Sequence, residues 1–187
     1  MSEHSVSLVR LDVVPDSVSV AIADAVRGWL LERGIIAAND RVDPLWHPSA
    51  WKPGPGARSA VADDSWFAAF LGTANNGVDI AARRDCYHPV ENDELPVCRR
   101  CSAPAPRAYR DSYGEWLGRW LDEGAEPAFT CDGCEWMALA GDWAGEFSVM
   151  VGVPAITFLN WPDLDARFIA DARVRLGGRT AVVRSHW

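Results

Sequence analysis

The chain has 187 residues, 49% of them hydrophobic, and a formal net charge of −8. This is the balance of a globular protein with one domain, or one domain carrying an insertion. The negative charge disfavours proteins that bind nucleic acid through many phosphate contacts and favours a basic protein partner. The longest uncharged apolar run, residues 147–162, is shorter than the roughly 20 residues that cross a bilayer. We therefore expect a cytoplasmic protein without a membrane partner.

The beginning of the chain predicts a strand followed by a helix. Residues 5–14 place apolar side chains on both faces, which is typical of an interior strand. Pro15 and the next two residues stop this strand and predict a helix N-cap. Apolar residues then recur at helical spacing over 18–33, and Gly34 ends the helix.

Residues 35–63 have no hydrophobic period and many prolines and glycines, which predicts a long loop. Its tryptophans, including Trp46 and Trp51, argue against disorder, because disordered segments are poor in aromatic residues. A short helix is expected over 64–71, with Trp66 among its apolar residues. Alternation over 78–83 predicts a second strand.

The end of the chain repeats the strand and helix pattern. Residues 147–159 predict one strand, or two that are broken at 152–154, and 164–176 predict a helix before a last strand at 180–185. The order of elements predicts an α+β protein with a ferredoxin-like βαββαβ body. We expect the body to comprise residues 1–90 and 141–187, and a zinc-binding module with a short helix to be inserted at 91–140.

Two C-x-x-C pairs carry the strongest chemical signal in the sequence. Each pair can direct two thiolates at one point, and two pairs complete a tetrahedral sulfur site that suits a zinc ion. Cytoplasmic thiols stay reduced, which favours metal over disulfides. An iron centre in the same shell and four metal-free thiols are the alternatives. The predicted metal ligands are Cys98, Cys101, Cys131 and Cys134.

Residues 95–137 resemble zinc-ribbon proteins, and this resemblance implies that the four cysteines hold a Zn²⁺ ion. The segment departs from the usual pattern, because Ser102 and Glu135 follow the two pairs where a glycine is common. Its spacer, residues 102–130, is longer than the usual spacer of about 15–20 residues and contains a predicted helix. Four thiolates close the coordination shell, so we expect a structural rather than a catalytic ion.

Three residues are weak candidates for catalysis. Cys86 lies two positions before His88, which would suit a nucleophile with a neighbouring imidazole, although a buried structural thiol has the same pattern. His47, in the irregular loop, could line a pocket with Trp51. The acidic pair at 63 and 64 predicts a solvated surface or a helix cap.

We expect a zinc-stabilised adaptor that recognises another protein, with a basic partner and a regulatory or immunity role. The expected recognition surface comprises Arg99, Arg100, Trp46 and Trp51. One alternative is a small enzyme with a pocket near His47, Cys86 and His88. A second is a nucleic-acid-binding zinc ribbon, which would need one positive face formed by Arg83, Arg99, Arg100, Arg107 and Arg110.

Overall fold

A computed structural model describes residues 3–41 and 48–186. It contains both helices and antiparallel sheets, so the predicted α+β class is confirmed. The strands are β1 (His4–Arg10), β2 (Ile36–Ala38), β3 (Trp51–Pro53), β4 (Gly77–Ala81), β5 (Asp85–Tyr87), β6 (Ala128–Thr130), β7 (Met137–Leu139), β8 (Met150–Gly152), β9 (Ala155–Leu159) and β10 (Thr180–His186). The helices are α1 (Asp16–Glu32), α2 (Phe67–Leu71), α3 (Ala108–Asp111), α4 (Tyr113–Glu123) and α5 (Ala166–Leu176).

The main sheet has six strands in the order β10-β1-β9-β4-β3-β2. Strand β1 is antiparallel to both β10 and β9, and β9 is antiparallel to β4. Strands β1 and β4 are therefore parallel to each other, with α1 between them in the chain, and α5 likewise joins β9 to β10. The four strands that the sequence predicted have the order and directions of the ferredoxin-like plan.

Helices α1 and α5 pack on one face of this sheet. Their apolar residues recur every three or four positions, so Val26 and Leu30 of α1 share a buried stripe. Trp29 stacks on Phe168 of α5, with 5.5 Å between the ring centroids. The core between helices and sheet also contains Leu8 from the first strand.

The segment 35–63 differs from the predicted loop where the structure describes it. Strands β2 and β3 extend the sheet beyond β4, and a short 3₁₀ turn at Ala57–Ala60 contributes to the core. These strands have only three residues each, which is too short for a hydrophobic period. Gly54 and Gly56 allow this segment to pack closely against the backbone at the end of α1, because a Cβ atom at either position would lie 2.3 Å from a backbone carbonyl oxygen there.

Other boundaries also differ from the predictions. The first strand ends at Arg10 rather than at residue 14, and α2 begins at Phe67. Ser112 does not cap α4 through its side chain, because its hydroxyl donates instead to the Ala108 carbonyl oxygen at 2.5 Å. In the described parts of the chain, no helix has the length and hydropathy of a membrane span.

A second layer covers part of the other face of the sheet. Strands β5 and β8 form a two-stranded ribbon, in which Met150 and Tyr87 pack against apolar residues of the sheet. Because side chains alternate along a strand, Cys86 instead packs against a separate, aromatic core around the cysteines. That core includes Tyr109, Trp116, Trp120, Phe129, Trp143, Val149 and Val151. The division at residues 91 and 140 remains a prediction.

Arg179 joins the two cores. Its guanidinium bonds Asp12, which follows β1, at 3.0 Å and Asp142 at 2.7 Å, and it also pairs with Glu126. Burial raises the pKa of Asp12, but the Arg179 amide and guanidinium outweigh it and lower that pKa overall. Burial raises the pKa of Glu126 despite bonds from Gly141 and Arg179. One side chain therefore holds three carboxylates at the junction.

Candidate metal centre

The structure brings the four predicted cysteine ligands together. All four sulfur atoms lie within 4.8 Å of one another, with 3.7 Å between Cys98 and Cys134 and 3.5 Å between Cys101 and Cys131. Zinc–sulfur bonds of about 2.3 Å in a tetrahedron place sulfur atoms about 3.8 Å apart. The cluster could therefore hold one metal ion with little movement.

Each cysteine pair sits in a turn of the same construction, here called the first knuckle (residues 98–101) and the second knuckle (131–134). In the first, the Cys98 amide donates to the Ala103 carbonyl at 2.8 Å. In the second, the Cys131 amide donates to the Trp136 carbonyl at 2.9 Å. The second knuckle also joins β6 to β7, whose antiparallel pairing fixes its two ends.

The residues that follow the knuckles explain how the chain does without the usual glycines. Ser102 and Glu135 both adopt the left-handed conformation, with φ of 61° and 57°. Such a conformation costs a residue other than glycine roughly 1–2 kcal/mol, so the surrounding turn must hold it in place. A side chain at Gly133 would crowd the site, because a Cβ atom there would lie 3.1 Å from the Ala103 Cβ atom and 3.3 Å from the Cys101 sulfur.

The electrostatics of the cluster favour a bound cation. Burial raises the pKa of Cys98, but the amides of Arg100 and Cys101 donate to its sulfur and lower the pKa to about 7. The Ala103 amide lowers the pKa of Cys101, yet the neighbouring thiols raise it to about 12. Four crowded sulfurs resist ionising together, and a metal cation removes that resistance.

The expected recognition residues fall into separate places. Arg99 and Arg100 lie at the tip of the first knuckle, where the Arg99 Nε atom donates to the Asp142 carbonyl at 2.6 Å. Trp51 is half-buried in β3, which lies in the main sheet between β4 and the edge strand β2, so the structure does not bring it to the knuckle tip. Trp46 and His47 lie outside the described residues.

A surface beside the cysteines was not predicted from the sequence. Phe129 and Ala138 point from the β6–β7 hairpin into the aromatic core, so the alternate residues face solvent. On this outer face Met137 is 70% exposed and Leu139 is 37% exposed. The guanidinium of Arg100 lies 5.5 Å from the centroid of the adjacent Trp136 ring. We call Met137 and Leu139, together with Arg100 and Trp136 at the adjoining turn, the hairpin surface. The Trp136 ring itself is half-buried and packs against the aromatic core, 5.7 Å from the Trp143 ring.

Cys86 and His88 line a common cleft of about 460 Å³, together with Asp85. Burial, and then the Asp85 charge, raise the pKa of Cys86, whereas an activated nucleophile needs a lowered thiol pKa. The Nδ1 atom of His88 accepts a hydrogen bond from the Val90 amide at 2.8 Å. The catalytic role of Cys86 and His88 therefore stays a prediction, which the raised thiol pKa of Cys86 disfavours.

Most arginines near the module have partners of their own. Arg110 pairs with Asp93 at 3.2 Å, and the Arg99 and Arg100 side chains contact a carbonyl oxygen and an aromatic ring. Among residues 3–41 and 48–186, Arg83 and Arg107 form no ion pair. Of the five arginines that a nucleic-acid surface would need, only Arg110 is neutralised by a carboxylate in the part of the chain that the structure describes, so this alternative stays a prediction.

No protein-family model, no curated protein and no solved structure matches the chain. The four-cysteine cluster fits a zinc-ribbon-like motif by its geometry alone. The function therefore has to be inferred from the chemistry of the described surfaces and clusters.

Proposed function

We propose that this protein is a binding protein that recognises another protein through a surface held in place by a structural zinc ion. Four thiolates in a closed tetrahedral arrangement suit zinc and leave no position for a substrate. Because the two knuckles are short turns, an ion that joins them fixes the relative position of everything between them. Metal analysis of the purified protein should give about one zinc ion per chain.

The hairpin surface is the observation that carries this proposal. Exposed apolar side chains normally occur singly on soluble proteins, whereas Met137 and Leu139 lie together on one face of a hairpin. Methionine, arginine and aromatic residues are the types enriched at protein interfaces. Charged residues of the second knuckle, Asp132 and Glu135, provide a polar rim. The metal would preorganise this surface, which lowers the entropic cost of binding.

The charge of the chain supports a basic partner. A formal net charge of −8 attracts a basic protein at long range and speeds the encounter. The positive tip formed by Arg99 and Arg100 would then contact an acidic or carbonyl-rich part of that partner. The same negative net charge makes a nucleic acid the less suitable partner.

The test uses two variants of similarly exposed apolar residues. Met137→Asp changes the hairpin surface, and Val174→Asp changes a residue of α5 that is 79% exposed. In pull-downs from the native host, we expect Met137→Asp to weaken capture of the partner at least about tenfold, as at interface hot spots. Val174→Asp should capture it like the unchanged protein, and both should retain zinc. Equal capture by the two variants would refute the role of the hairpin surface.

A further inference from the structure

Trp66 is an exposed aromatic residue on the body, far from the cysteines in sequence. Its side chain is 75% exposed. Every other tryptophan, tyrosine and phenylalanine that the structure describes is buried or half-buried. Phe67 and Phe70 are three positions apart and share the buried face of α2. Trp66 is therefore rotated away from the core, which leaves the face of its ring accessible to another molecule.

Other aromatic rings near the surface are covered by arginines of this chain. The Arg33 and Arg175 guanidinium groups lie 5.6 and 5.7 Å from the ring centroid of Trp29. Arg58 lies 5.1 Å from the Phe67 ring, and Arg100 covers Trp136 in the same way. Trp66 has no such cation among the described residues.

A cleft of about 390 Å³ lies beside the Trp66 ring. Its aromatic wall also includes Phe70 and Trp161, whose rings are 5.0 Å apart, and no lysine or arginine is among its described lining residues. The cleft therefore offers aromatic surface without any positive charge of its own.

Two carboxylates also line this cleft. Asp163 is paired with Arg184 at 3.0 Å, but Asp63 forms no ion pair with any described residue. The Asp63 carboxylate accepts hydrogen bonds from the Ser65 amide at 2.9 Å and its hydroxyl at 3.0 Å, and these bonds lower the pKa of Asp63. The Nε2 atom of His4 donates to the Trp161 carbonyl at 2.7 Å, which fixes the ring. The unbalanced charge in the cleft is negative.

We propose that this cleft binds an arginine or lysine side chain presented by the protein partner, with the cation over Trp66 and paired with Asp63. The inference rests on the proposed function, since it assumes a protein partner, and the negative net charge agrees with it. An apolar occupant would cover the Asp63 carboxylate without pairing it, which is unfavourable. A cation satisfies both the ring face and the carboxylate.

The first test needs no partner. The indole N–H signal of Trp66 is followed by NMR while N-acetyl-arginine amide is added, and N-acetyl-citrulline amide serves as the uncharged isostere. We expect the arginine probe to shift this signal and to bind at least about threefold more tightly than the citrulline probe. Asp63→Asn should remove most of that preference. Equal binding of the two probes, or no shift of the Trp66 signal, would overturn the inference.

The second test uses the captured partner. Trp66→Ala should weaken capture about tenfold and Trp66→Phe should restore most of it, because phenylalanine keeps a ring face for the cation. Unchanged zinc content would show that each variant is folded. Capture that depends on Met137 but not on Trp66 or Asp63 would refute this inference and leave the proposed function standing. A preference of Trp66 for the arginine probe without any captured protein would support the cation site and count against the proposed function.

Discussion

The helix-covered sheet and the cysteine-bearing segment are stabilised in different ways. In the sheet, the four strands β10, β1, β9 and β4 have five to seven residues and pair over most of their length, and two amphipathic helices bury an apolar core against them. Around the cysteines, β6 and β7 have three residues each, and an isolated hairpin of this size is marginally stable in water. The comparison indicates that the sheet can fold on its apolar contacts, whereas the second region would depend on its aromatic cluster and on the zinc ion that we propose.

The two regions also differ in what they expose. On α5 Val174 is the one large apolar residue that is exposed, and it shares its helix face with the small side chains of Ala166 and Ala170. On the hairpin, Met137 and Leu139 lie on the same face two residues apart, next to a ring covered by an arginine. The cysteine-bearing segment thus exposes two neighbouring large apolar side chains, whereas α5 exposes one. This difference is the reason why we propose that the cysteine-bearing segment recognises the partner.

Loss of the metal should have the largest effect, and it should destabilise the cysteine-bearing segment while leaving the sheet folded. We expect Cys131→Ser to abolish zinc binding and unfold the region between the knuckles, because structural zinc contributes on the order of 10 kcal/mol to small metal-dependent folds. Two-dimensional NMR would show loss of dispersed signals from α4, β6 and β7. The signals of Leu8 and Phe158, which lie in the sheet, should keep their chemical shifts. Cys86→Ser is the matched control, since Cys86 lies outside the cluster and should leave the zinc content unchanged.

Two results would contradict that prediction. If Cys131→Ser left the signals of β6 and β7 dispersed, the aromatic cluster would be sufficient and the metal would be dispensable. If the whole chain unfolded, including the sheet, the two cores would form one cooperative unit rather than two.

The sequence predicts most of the sheet because its strands and helices are long enough to have a period. The apolar residues of β1 and of α5 repeat several times along each element, so their periods are visible in the sequence. The two C-x-x-C pairs predict the four sulfur atoms that the structure brings together. Strands β2 and β3 were not predicted, because three residues are too few to show an alternation of apolar and polar side chains. The body's ferredoxin-like strand order followed from the order of elements, since right-handed crossovers leave few alternatives.

Surfaces were much harder to predict than ligands. Trp66 belongs to the same apolar run as Phe67 and Phe70, and only the starting point of a five-residue helix determines which of the three is exposed. The hairpin surface depends on which side of β7 faces the aromatic core. Strands of three residues are too short for the sequence to predict which side that is. The role of Arg179 depends on three carboxylates between 37 and 167 positions away in sequence.

Arg179 offers the next largest effect, because it connects the two regions. Arg179→Met should lower the free energy of unfolding by about 2–3 kcal/mol, since it leaves the nearly buried Glu126 carboxylate without its cation. The loss should be smaller than for a fully buried pair, because the Arg179 side chain is 31% exposed. Urea unfolding measures it, and Arg27→Met, which breaks an exposed pair with Asp24, should cost less than about 1 kcal/mol.

The pH dependence sharpens this prediction. Burial already raises the pKa of Glu126, and removing Arg179 should raise it further, because Arg179 favours the charged form. As the pH falls from neutral, Glu126 should therefore take up a proton earlier in the variant, which relieves its buried charge. The lowered pKa of Asp12 acts in the same direction, since its favourable contribution in the unchanged protein is lost as pH falls through the folded pKa. The stability difference between the two proteins should narrow towards acid, and a constant difference would contradict this assignment.

The smallest expected effect concerns Cys86, which lies where the two regions meet. Burial and Asp85 raise its pKa, so at pH 8 its thiolate fraction should be lower than that of a cysteine in an unstructured peptide. With the zinc site filled, iodoacetamide should alkylate Cys86 more slowly than this reference peptide, and the rate should approach that of the peptide in urea. Mass spectrometry of Cys86→Ser gives the background from the other four cysteines. Alkylation faster than that of the reference peptide would show an activated thiolate beside His88, and the enzyme alternative would then outweigh a purely binding role.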